Sequence, residues 1–226
     1  MQDFSLLDFV AVGVFLGAWA LYYVVIELSP FGNRTLNRIM DQYRAAWMMR
    51  MIVRENRIVD TTIMSSLQNG AAFFASTSLL AIGGGLAALG ATDTALDVFA
   101  AVPYAPPTTR IAFEAKILGL VAIFIYGFFK FAWSFRLFNY SAILVGAVPL
   151  PSQAQDPATI EAANKAGRMN ISAGRHFNRG LRALFFALAY LGWLAGPWGL
   201  MITTVGVLIV LFRRQFVSDS LVALGD

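Results

Sequence analysis

The side chains that could do chemistry in this chain are few. His176 is the one histidine, and there is no cysteine. A zinc site of several imidazoles and a bis-histidine haem therefore cannot be assembled within one chain. Disulfides, thiolate metal sites, iron–sulfur clusters and covalent haem are excluded as well. Haem with another axial ligand stays open, but no cofactor and no metal site is predicted from these residues. His176 lies between Arg175 and Arg179, at what reads as an interfacial helix end, so capping of carbonyls or contact with lipid headgroups is favoured over acid–base work. No serine nucleophile motif, phosphate loop or metal-ligand helix accompanies it, and no catalytic residue is assigned.

Two other constellations carry more information. At 100° per residue, Thr61, Ser65, Gln68, Asn69 and Ser76 fall in one sector of a helix together with Ala72 and Gly83. Such a side suits a polar pathway, or else a helix–helix contact built from small and polar residues. The second constellation is basic. On a helix running from Arg34 to Ile58, Arg50, Arg54 and Arg57 share the side of Leu36, Tyr43 and Trp47. An inward guanidinium needs a partner: Glu27, Glu55 or Asp60 as an internal ion pair, or an anion or lipid headgroup held jointly with Lys130 and Arg136. Lys130 and Arg136 themselves belong to a patch with Trp133, Ser134, Asn139 and Tyr140. It reads either as an interfacial belt or as a headgroup pocket. Glu114 and Lys116 lie near a helix start, where Arg110 and Glu114 form an (i, i+4) pair.

The elements that must position these groups are apolar helices. Of 226 residues 58% are hydrophobic and only 13% charged, against roughly a quarter charged in a soluble domain. The net charge of +4 sits in loops and interfacial segments, so it reports topology, and nucleic acid is not an expected partner. Membrane spans are expected at about 6–28, 60–89, 110–130, 177–196 and 197–216, with interfacial or cytoplasmic helices at 34–58 and 157–175. The first span should be retained, because Asp3 and Asp8 replace the basic region of a signal peptide. Gly83-Gly84-Gly85 should weaken or end the second. The linker after it holds Asp93, Asp97, Pro103, Pro106 and Pro107. Asp156 and Pro157 start a helix whose Ala163, Ala166, Gly167, Asn170, Ala173 and Gly174 offer small faces. Gly196-Pro197 should turn the last apolar stretch into a hairpin. Five spans put every basic cluster, Arg213 and Arg214 included, on the cytoplasmic side; four spans would leave that last pair outside. The fold class is thus all-α, a single polytopic transmembrane bundle.

Four segments carry a resemblance: Arg54-Glu55-Asn56-Arg57-Ile58-Val59-Asp60, Phe73-Phe74-Ala75-Ser76-Thr77, the run from Phe129 through Lys130, Trp133 and Arg136 to Tyr140, and Arg175-His176-Phe177. The chain resembles a proteobacterial member of an uncharacterised family of polytopic membrane proteins, a domain of unknown function also found in plants. The resemblance covers most of the chain and implies a bacterial inner membrane, but no reaction.

Three functional classes follow. A small oligomeric channel or transporter for an ion or small solute is preferred for the polar side of the second span. An accessory or scaffold subunit of a larger membrane complex is the alternative, on the small-residue helices and short loops. A lipid-acting membrane enzyme is third, with only His176 and scattered carboxylates to offer. The expected partners are membrane lipids, anionic ones among them, and other copies of the chain or subunits of a membrane complex.

Overall fold

The computed structural model describes residues 3–101, 108–217 and 219–224, and among them every regular element is helical. The linker prolines Pro103, Pro106 and Pro107 lie outside the described residues. Four helices are long and apolar enough to cross a membrane: Leu6–Leu28, Ile58–Gly90, Arg110–Gly146 and Pro197–Phe216. Their apolar side chains cannot be covered by a chain of this size, and Leu80, Phe129 and Ile202 stand open accordingly.

The chain divides into two compact units, residues 1–36, 78–126 and 182–226 in the first and 37–77 and 127–181 in the second. In the first, Ser5 opens α1 (Leu6–Tyr23) with a capping box: its hydroxyl accepts from the Asp8 amide at 3.2 Å, and its own amide donates to Asp8 Oδ2 at 3.0 Å. A π-helical turn over Val24–Leu28 ends before Pro30, as expected of a residue that cannot donate to the ladder. α1 buries Ala11, Phe15, Ala18 and Tyr22 on one stripe. α6 (Pro157–Leu191) is one continuous helix whose last ten residues belong to this unit. Trp19 stacks on Phe186 at 4.8 Å and Phe15 meets Tyr190 at 5.4 Å, so α6 runs antiparallel to α1 here. A 3-10 turn over Gly192–Ala195, Gly196 at φ 100° and Pro197 at the first helical position then reverse the chain into α7 (Pro197–Phe216). At one end of α1 the Trp193 indole donates to Asp8 at 2.8 Å; at the other, Tyr22 meets Phe212 at 5.1 Å. α7 therefore runs parallel to α1.

The second unit contains α2 (Leu36–Met51, from Asn37 on) and the first part of α3 (Ile58–Gly90). It also holds the later part of α5 (Arg110–Gly146) and α6 up to Leu181. Its core is Met48, Met51, Ile52, Met64, Val145 and Val148 at one place, and Phe138, Leu137, Ala71 and Ala173 at another. The small residues of α6 are what permit this packing: Ala163, Ala166, Gly167, Asn170, Ala173 and Gly174 are all buried. Ser134 and Ser141 of α5 reach across them to the carbonyls of Ala173 and Ala166 at 2.8 and 3.1 Å.

Three expectations about helix continuity are corrected. The helices expected separately at 157–175 and 177–196 are the one helix α6, because nothing at their junction interrupts its hydrogen bonding. α3 continues through Gly83-Gly84-Gly85 to Gly90. In an apolar solvent the backbone has no partner outside its own helix, so the freedom of glycine is not exercised; a Cβ on Gly85 would collide with Val121. Conversely α2 stops at Met51 and does not run on to Ile58: the chain turns after Met51, the Arg54 amide donating back to the Met51 carbonyl at 3.1 Å, and Asn56 Oδ1 accepts from the Ile58 amide at 2.8 Å where α3 begins.

Candidate functional site

The connection from α2 to α3 is where the sequence concentrates charge. Since α2 ends at Met51, Arg54 and Arg57 are placed by the loop and not by a helical face. Asp60, in the first turn of α3, is fully buried. Its Oδ1 accepts from the Trp47 indole at 2.6 Å and from the Arg54 guanidinium, while its Oδ2 has no hydrogen-bond partner among the described residues. Asp60 also lies at the positive end of the α3 dipole, which favours an acidic side chain there. Arg57 lies across the end of α5, donating to the carbonyls of Val148 at 2.8 Å and Pro149 at 2.6 Å, and at 3.4 Å to Val145. These include carbonyls that a helix end leaves without an internal partner. Arg50 is exposed.

Further pairs fasten the same unit. Arg44 donates to Asn170 Oδ1 and lies over the Phe138 ring at 5.7 Å. Burial pushes its guanidinium below its ordinary pKa, partly offset by the charge of Asp41. Arg175 bridges to Asp41 at 2.9 Å. Nothing in the local sequence announces the Arg44–Asn170 contact, whose members lie 126 positions apart. The same holds in the first unit for Arg182, which bridges to Glu27 at 2.9 Å beneath the Tyr22 ring, and for Lys116, which donates to the Trp193 carbonyl at 3.1 Å. Only an unusual residue type in an apolar run could have flagged these.

The polar side of α3 is disposed differently. α3 buries Asp60, Met64, Ala71 and Ser78, a narrow seam repeating about every seven residues. The sector holding Thr61, Ser65, Asn69 and Ser76 flanks that seam and is exposed. Gln68, at its edge, is half-buried and donates to Asn139 at 2.9 Å. Thr61 and its neighbour Thr62 return their hydroxyls to the Ile58 carbonyl, each at 2.9 Å.

The patch on α5 separates into two parts. Arg136 donates to the Tyr140 hydroxyl at 2.8 Å and stacks on its ring at 4.9 Å, both exposed. Lys130 lines an open groove of about 390 Å³ with Phe129, Ala132, Trp133 and His176. His176 is in the interior of α6 and not at a helix end, because nothing in Arg175-His176-Phe177 breaks the helix. Its ring meets that of Trp133 at 6.5 Å. Of the five basic residues predicted to share an anion, then, Arg54, Arg57 and Arg136 bond to other residues of the chain, Arg50 is exposed, and Lys130, which also has an interaction within the chain, lines the groove. Among the described residues no three of Asp, Glu and His gather as metal ligands.

Four long apolar helices, the absence of strands among the described residues and exposed aliphatic surfaces define a multi-pass membrane protein. The chain belongs to the family described as a protein of unknown function, DUF599, whose pattern matches residues 10–220. No curated protein and no solved structure matches it.

Proposed function

We propose that the protein crosses a bacterial inner membrane five times and assembles into a homo-oligomer. In this reading the polar sectors of α3 from neighbouring copies line a path for an ion or small solute. The topology rests on the parallel course of α1 and α7. Four crossings made by α1, α3, α5 and α7 would set α7 antiparallel to α1; a fifth, made by the end of α6, restores the observed direction. The N-terminus is then outside, and the basic segments after α1, α5 and α7 are inside, as the distribution of Lys and Arg requires.

The observation that carries the transport reading is the exposure of Thr61, Ser65, Asn69 and Ser76. An exposed asparagine amide must find water or another protein surface, so this sector is not a lipid contact. A route through the interior of either unit is blocked by side chains such as Phe15 and Phe186 in the first and Phe131 and Phe138 in the second, all buried. The route therefore belongs between copies. Phe73 and Leu80, exposed beside the sector, favour a second reading, a dry contact with a foreign subunit. Purified protein carrying Asn69→Cys should cross-link to itself in the membrane, and proteoliposomes should pass a small solute that Asn69→Leu blocks. A stable foreign chain in place of the self-cross-link, with no flux, would replace transport by the subunit reading.

A further inference from the structure

The groove formed by Phe129, Lys130, Ala132, Trp133 and His176 has a composition and a depth that together specify a ligand. Arg110 begins α5, and Lys130 follows twenty residues later. At 1.5 Å per residue this is about 30 Å, one hydrocarbon thickness. With the charged first turn of α5 at one boundary, Lys130 falls at the other, at headgroup level. The groove's lining contains a fixed cation, an imidazole and an indole, and no carboxylate. Phe129 is 64% and Trp133 51% exposed, so the mouth of the groove is aromatic and opens outward. Lys130 and His176 are half-buried and form its polar side.

We infer that this groove binds the phosphodiester headgroup of an anionic glycerophospholipid of the phosphatidylglycerol type. The Lys130 ammonium meets the phosphate as a charge-assisted hydrogen bond. The Trp133 indole supplies a further N–H donor, in the amphipathic position such rings take at an interface. Phe129, next to Lys130 and a turn nearer the membrane centre than Trp133, runs beside the first methylenes of an acyl chain. A zwitterionic lipid offers the same phosphate but brings an ammonium group toward Lys130, which selects against it. The inference is independent of transport, because it uses α5 and α6 and no residue of the α3 sector.

Native mass spectrometry of the full chain in detergent mixed with equal amounts of phosphatidylglycerol and phosphatidylcholine tests this. Wild type should retain the anionic lipid in clear preference. Lys130→Gln should reduce that adduct about tenfold, the worth of one charge-assisted bond. Lys130→Arg should keep it, as should Lys165→Gln, which removes an exposed lysine elsewhere on α6. Inorganic phosphate should not displace the lipid. Equal retention of the two lipids by wild type, unchanged binding in a folded Lys130→Gln, or displacement by inorganic phosphate would each overturn the assignment. The wild-type comparison decides even if Lys130→Gln does not fold.

Discussion

Asp60 shows how an ionisable residue near a membrane boundary can be structural. A buried carboxylate that accepts from Trp47 and Arg54 is stable only while both donors stay in place, and the Arg54 side chain is 40% exposed, which moderates the pair's worth. Asp60→Ala leaves two donors without their acceptor and should cost about 2 kcal/mol. Arg57→Ala uncovers the carbonyls at the end of α5 and should cost about 1–2 kcal/mol. Arg50→Ala, on an exposed side chain, should stay within about 0.5 kcal/mol. Thermal unfolding in detergent orders the three; an Arg50→Ala loss equal to that of Asp60→Ala would contradict the assignments. The sequence named Asp60 as a possible partner of the inward arginines, since charge requires charge. It could not show that Arg57 would use backbone carbonyls, because nothing in residue types marks which helix end lies within reach.

Among the elements, the hairpin at Gly196-Pro197 was legible because a breaker and a helix-starting residue stand side by side in an apolar run. The unbroken course of α6 through His176 was not: a change from small and basic to large and apolar residues looks like a boundary between two helices, yet nothing in it interrupts hydrogen bonding. Glycine was equally ambiguous. Gly83-Gly84-Gly85 suggests a break but stays helical, whereas Gly180 is needed for contact: a Cβ there would meet the Phe131 ring at 2.6 Å, within a cluster where Phe74 stacks on Phe131 at 5.3 Å. Gly180→Val should therefore destabilise the protein by about 2 kcal/mol through overpacking. Gly84→Ala, with nothing within 4 Å of the new methyl, should be neutral or slightly stabilising. Paired unfolding curves in one detergent check this, and the opposite order would contradict the α5–α6 packing.

At the scale of the whole molecule, charge distribution and helix direction are independent arguments for one topology. A reporter active only in the cytoplasm should work when fused after Asp226, on the same side as Arg34 to Arg57; activity of a periplasmic reporter there would restore four crossings. The transport reading asks more of α3. It is 33 residues long, about 50 Å, so part of it extends beyond a ~30 Å hydrocarbon core unless it tilts strongly. Ser65 and Ser76 could meet water merely by lying near the boundary that Lys130 marks, since Phe74 stacks on Phe131 at 5.3 Å; Gly83, on the same sector and seven residues or about 10 Å beyond Ser76, could not. With no native cysteine, single cysteines can be labelled without background. The most direct measurement is labelling of Gly83→Cys by a membrane-impermeant thiol reagent in intact proteoliposomes, beside Ala81→Cys and Gly84→Cys, which lie outside the sector. A water-lined path predicts that Gly83→Cys reacts and the two controls do not. Reaction at Gly83→Cys no greater than at Ala81→Cys and Gly84→Cys would contradict it.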